Sequence, residues 1–181
     1  MTDVPLSGST LLVGPSQVGK TATTARALQT WLDRHGTDGV AVLDFAPEVE
    51  RDGQILGGRL DRFLEIPDDV WYGVLEAHAP RAESDSVEEA VTLARENAEG
   101  ARTLFENAPV PRAVFVNDAT IPFQHETNDP ALLTDYCERA RCAVLNAFES
   151  DELGTENPVS RREREVLAFL RDSVDRTIDL S

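Results

Sequence analysis

Apolar residues gather in short runs separated by longer stretches in which they recur every three or four positions, and the two patterns alternate along the chain. The runs read as strands at 9–13 (Ser-Thr-Leu-Leu-Val), 40–45 (Val-Ala-Val-Leu-Asp-Phe), 113–118 (Ala-Val-Phe-Val-Asn-Asp), 142–146 (Cys-Ala-Val-Leu-Asn) and, more briefly, 177–180. Between the first two, Ala25, Leu28, Trp31 and Leu32 keep helical spacing over 21–34, and Gly36 stops them. The pattern predicts further helices over 67–79 and 86–107. The second of these opens on a capping box, Ser86 with Glu89, and turns Val87, Ala90, Val91, Ala94, Ala98, Ala101 and Phe105 to one face. Asp129-Pro130 starts a helix running to about 139, because proline suits the first helical position. The last helix is predicted to begin at Ser160, boxed by Glu163, and to bury Val166, Leu167, Phe169 and Leu170. Residues 80–85 and 148–157 read as loops, and no repeat or low-complexity segment occurs. Strand alternating with helix is the pattern of a parallel sheet covered on both faces. At 181 residues, one α/β domain spanning 1–181 is expected.

The turn after the first strand carries the chemistry. Gly14-Pro15-Ser16-Gln17-Val18-Gly19-Lys20-Thr21 matches GxxxxGK[ST] in full, between a strand and a helix, as the motif requires. Lys20 is the sole lysine beside sixteen arginines, and it stands where a compact ammonium on a flexible stem is hard to replace by a planar guanidinium. Backbone N–H groups of the loop and the positive end of the helix would surround phosphates, with Thr23 completing the binding set and the Thr21 hydroxyl free to ligate Mg²⁺. The apolar strand ending in Asn117 and Asp118 has the outline of a Walker B motif, so Asp118 is expected to emerge beside the loop and hold a water on the metal. Ala119 follows it, not the glutamate that polarises water in helicase-type and transporter-type ATPases. Asp44 ends the second strand at the same carboxyl edge, where it could ligate Mg²⁺ through water or orient the attacking water as a base, or simply initiate a turn. Asp52-Gly53 and Gly57-Gly58 in 46–60 allow that segment to bend and to change shape with the γ-phosphate.

Charge narrows the partners. The formal charge is -16, from 33 acidic and 17 basic residues spread along the chain, which disfavours nucleic acid and anionic membranes. Acidic, arginine-rich and almost lysine-free composition is similar to that of proteins from salt-accumulating halophiles. Two cysteines, Cys137 and Cys142, read as buried thiols rather than a metal site, since no second pair accompanies them and His35, His78 and His125 lie far apart. With no secretory pattern at the start and no apolar run of membrane-spanning length, a cytoplasmic protein is expected.

These residues together resemble the SIMIBI class of P-loop NTPases, which includes partition-type ATPases, dethiobiotin synthetase and metal-centre-maturation GTPases. The resemblance implies a three-layer fold with a mainly parallel five-stranded sheet, in the order second, third, first, fourth, fifth. It also implies that Asp44 lies near the γ-phosphate and that Asn146 contacts the base. Partition-type ATPases carry an additional lysine early in the loop; Pro15 and Ser16 occupy that part here, so dimerisation through it is not expected. Asn146-Ala147-Phe148-Glu149 outlines the guanine-reading NKxD motif but lacks its lysine, so ATP is expected before GTP. The expectation is Mg-ATP binding with slow hydrolysis stimulated by an unidentified protein partner or small-molecule substrate. Lys20 would neutralise charge, Thr21 and Asp118 would organise the metal, and Asp44 would position water. Two alternatives stand beside it. One is a small-molecule kinase, ATP-dependent ligase or adenosyltransferase using 46–110 as its acceptor site, with Trp71, Tyr72 and His78 as lining. The other is a nucleotide-binding regulatory module without turnover. Arg161, Arg162 and Arg164 in the last helix are either a solvated helix start or a lid over an anionic ligand.

Overall fold

The computed structural model describes residues 2–51, 53–56 and 58–181. Six strands form one parallel sheet: β1 (Gly8–Gly14), β2 (Val40–Asp44), β5 (Trp71–Val74), β6 (Ala113–Asn117), β7 (Cys142–Phe148) and β8 (Arg176–Asp179). A separate antiparallel pair, β3 (Val49–Arg51) and β4 (Gln54–Leu56), projects after β2. It lies in the segment expected to bend, of which Asp52 and Gly57 fall outside the described residues.

The α/β class and the parallel sheet are as expected; the strand count and order are not. The observed order is β5-β2-β6-β7-β1-β8, whereas the sequence reading placed the strand of Asn117 and Asp118 directly beside that of the glycine loop and counted five strands. β7 lies between them. Its register runs Gly8↔Cys142 to Gly14↔Phe148 on one side and Ala113↔Cys142 to Val116↔Leu145 on the other. Both β6 and β7 are continuous apolar runs buried on both faces, a pattern that identifies interior strands without naming their neighbours.

The sixth strand, β5, replaces the predicted helix over 67–79. Trp71, Tyr72 and Val74 are good strand formers on an edge position, and the Trp71 ring lies over Gly73, where any Cβ would overlap it. In the following loop-like stretch, Pro80–Glu83 forms a short helix, α2.

The sheet's two faces divide the helices. Leu12, Val42, Phe115 and Val144 pack with Leu28 and Trp31 of α1 (Lys20–His35). Leu11, Val13, Leu43, Val116 and Leu145 pack against α3 (Val87–Asn107), α4 (Ala131–Glu138) and α5 (Pro158–Ser173). The Ser86 cap of α3 forms as expected, accepting from Glu89 N–H at 3.1 Å. For α5 the expected cap is wrong. Asn157 caps it, accepting from Ser160 N–H at 2.8 Å, with Pro158 as first helical residue. Glu163 is thereby one turn into the helix and points inward. Among the described residues no helix is long and apolar enough to cross a membrane.

Candidate functional site

β1 delivers the glycine loop to the carboxyl edge of the sheet, where Glu149 N–H donates to the Gly14 carbonyl at 2.9 Å. A Cβ on Gly14 would come within 2.9 Å of Val18 Cγ1, Gln17 is left-handed at φ 62°, and Gly19 turns the chain into α1 at φ 100°. The helix start is left open. α1 has no side-chain cap and no acidic residue in its first turn, whereas Ser86 caps α3 with Glu88 and Glu89 behind it, and Asn157 caps α5. In a chain with 33 acidic residues, an uncapped and acid-free N-terminus keeps the partial positive charge of its N–H groups unneutralised. Lys20 is only 7% exposed and folds its ammonium onto the Pro15 carbonyl at 2.5 Å. Burial lowers its pKa, while the carboxylates of Asp118 and Glu152 pull it back up.

Beneath the first turn of α1 runs a buried polar row that the strand endings create. Asp44, Asn117 and Asn146 are each the fifth residue of their strand, and the register aligns them: Val40↔Ala113 and Ala113↔Cys142 start level. All three are fully buried on the α1 face. The Asn117 amide donates to Asp44 Oδ1 and to the Gly58 carbonyl, both at 2.9 Å, and its Oδ1 accepts from the Asn146 amide at 2.9 Å and the Thr21 hydroxyl at 3.2 Å. Asn146 donates its other hydrogen to Thr24 Oγ1 at 2.8 Å and accepts from Asp118 N–H at 2.9 Å. The Asp44 carboxylate takes four donors: Ala46 N–H at 3.4 Å, Leu60 N–H at 2.8 Å, the Tyr72 hydroxyl at 2.6 Å and Asn117. Burial raises its pKa, and those donors oppose the rise.

The sequence-derived set is thus brought to one edge with altered partners. The Thr21 hydroxyl meets the amide of Asn117 rather than Asp118. Asp118, half-buried and left-handed at φ 54°, makes no side-chain hydrogen bond among the described residues. Burial pushes its pKa up to about 6 against the pull of Lys20. Asn146 lies under α1 with both amide hydrogens donated, and Thr23 is buried within α1, its hydroxyl accepting from Arg26 at 3.4 Å. Pro15, Ser16, Gln17 and Val18 form the loop itself. Among the described residues no three His, Cys, Asp or Glu side chains cluster as a metal site, and both cysteines are free and buried.

Trp71, Tyr72 and His78 do not converge. Trp71 covers Gly73, Tyr72 reaches Asp44, and His78 Nε2 pairs with Glu96 at 2.9 Å. Arg162 donates to the Phe123 and Asn128 carbonyls, and Arg164 to the Thr155 carbonyl. Sequence reasoning missed Thr24 and Glu152, gave Asn117 no role of its own, and assigned Tyr72 to an acceptor site rather than to Asp44. The shared fifth position of three strands was the available signal for Asn117.

No protein-family model matches the chain, and a search of curated proteins finds no match.

Proposed function

We propose that this protein binds the polyphosphate of a nucleoside triphosphate, with Mg²⁺, in the loop of residues 14–21, and turns it over slowly or not at all. The observation that carries the reading is the open start of α1 behind a glycine loop that holds the chain's one ammonium. Residues 16–19 supply backbone N–H groups to phosphate oxygens, and Lys20 moves from the Pro15 carbonyl onto the β- and γ-phosphates. Mg²⁺ takes hard oxygen ligands and shares them with phosphate, and Thr21 Oγ1, Asn117 Oδ1 and the Asp118 carboxylate, which has no side-chain hydrogen bond among the described residues, offer such oxygens at one edge. A bound Mg²⁺ would neutralise phosphate charge there.

Slow turnover follows from what faces Thr21. An amide stands where a carboxylate would strengthen metal binding, and Asp44 has both oxygens saturated by protein donors, which leaves it a poor base for water. This favours the regulatory-module reading over the kinase or ligase, whose acceptor residues are dispersed. ATP is the proposed nucleotide, because Asn146 is committed beneath α1 and Glu149 to Arg171, so the guanine-reading outline loses both ends. The test is an ATP titration by calorimetry with and without Mg²⁺, alongside phosphate release. Saturable binding strengthened by Mg²⁺, with turnover far below the typical enzyme median of about 10 s⁻¹, is expected. Absence of binding defeats the proposal, and fast release by the protein alone defeats the module reading.

A further inference from the structure

The loop joining β7 to α5 inserts a carboxylate into the phosphate site. Ser16 N–H, a backbone donor of the glycine loop, bonds to Glu152 Oε1 at 3.0 Å across 136 residues of sequence. The same carboxylate acts on Lys20, raising the ammonium pKa against burial. A carboxylate oxygen offers the acceptor chemistry of a phosphate oxygen with less charge, so Glu152 satisfies a donor that a nucleotide would claim.

The loop is built to let go. Its ends are fixed: Glu149 N–H donates to the Gly14 carbonyl at 2.9 Å, and Asn157 caps α5. Between them Ser150 Oγ accepts from Glu152 N–H at 3.1 Å, and Gly154 turns the chain back at φ 89°. Residues 151–154 are exposed, so no core burial resists their movement. The opposite side of the loop walls a cleft of about 530 Å³ against α5, lined by Phe148, Arg81, Leu167 and Arg171. There Arg171 pairs with Glu149 at 2.6 Å, and Arg164 reaches the Thr155 carbonyl at 2.5 Å. One short segment therefore touches the phosphate loop on one side and the cleft on the other.

We propose that Glu152 is a tethered stand-in for phosphate: it holds residues 149–157 against the glycine loop, and an incoming nucleotide expels it and frees the wall of the cleft. The inference rests on the nucleotide-binding reading of residues 14–21. A tethered competitor lowers apparent affinity by the fraction of time it occupies the site, and an exposed carboxylate on one N–H accounts for about threefold to tenfold. ATP, and separately inorganic pyrophosphate, are titrated with Mg²⁺ into wild type, Glu152→Gln and Asp151→Asn, the last removing an equal charge that faces the cleft instead. Glu152→Gln is expected to bind both probes about threefold to tenfold tighter, and Asp151→Asn to stay within about twofold of wild type. A spin label at Leu153→Cys, an exposed position, should gain mobility when ATP is added to wild type and be mobile from the outset in Glu152→Gln. Equal or weaker binding by Glu152→Gln overturns the latch while leaving nucleotide binding intact. So does equal tightening by Asp151→Asn, which would mark a general charge effect, or a label that ATP does not mobilise. Failure of all three proteins to bind either probe removes the nucleotide reading itself.

Discussion

Asn117 ties β2, β6, β7 and α1 together through both amide hydrogens and its carbonyl. Asn117→Ala would remove one hydrogen-bond partner from each of Asp44, Asn146, Thr21 and the Gly58 carbonyl in a buried row, so a loss of about 3–5 kcal/mol in denaturant unfolding is expected. A loss below about 1 kcal/mol would mean the row is not what joins these elements. Asp118 predicts the opposite sign. Its folded pKa of about 6 lies above the ordinary aspartate value of 3.8, so the folded state holds this proton more tightly than the unfolded chain. Its contribution therefore falls as pH rises from about 4 to about 6, and above that the ionised, half-buried carboxylate is a net cost of at most about 3 kcal/mol before solvent screening reduces it. Asp118→Asn should be more stable than wild type at pH 7, with the gap closing towards pH 4; equal melting curves at both pH values would contradict the burial of this group. A residue kept at a cost to the fold is what a ligand-binding position looks like.

At the scale of elements, the sequence was most readable where composition forces geometry. The glycine loop, α1 with its Gly36 stop, and the Ser86 cap of α3 formed as expected, because each rests on contacts within a few residues. Strand order was not readable: β6 and β7 each open with four apolar residues followed by an asparagine, so nothing local says which of them adjoins β1. β5 was missed because a four-residue edge strand leaves too short an alternation, and the apolar residues of 67–79 also fit helical spacing. The cap of α5 shifted because Asn157-Pro158 outcompetes Ser160, whose hydroxyl instead accepts from Arg81 at 3.1 Å. Glu163, freed from capping, accepts from Thr120 at 2.9 Å and Gln124 at 2.6 Å and pairs with Arg81 at 2.8 Å, both side chains of the pair being at most 10% exposed. This joins α2, α5 and the turn after Asp118. Glu163→Ala should cost about 3–5 kcal/mol, because it strands a buried guanidinium, and Glu163→Gln distinctly less. If thermal unfolding places the two variants together near wild type, the cluster does not hold these elements.

For the whole molecule, the charge of -16 sets the working conditions. Repulsion among dispersed carboxylates is screened once the Debye length shrinks to about 3 Å at 1 M salt, so the melting temperature should rise from dilute buffer to molar KCl. A flat or falling curve would separate the acidic surface from any adaptation to salt. The same screening defines where ligand binding is to be measured. The central claim is that the loop of residues 14–21 is a nucleotide phosphate site. Its most direct test is the shift in melting temperature that Mg-ATP produces in wild type and in Lys20→Ala at one fixed molar KCl concentration. Removing the ammonium should abolish the shift while the ligand-free melting temperature stays close to wild type, since among the described residues the Lys20 ammonium bonds only the Pro15 carbonyl of its own loop. An equal ATP-induced shift in both proteins, or none in wild type, would contradict the account.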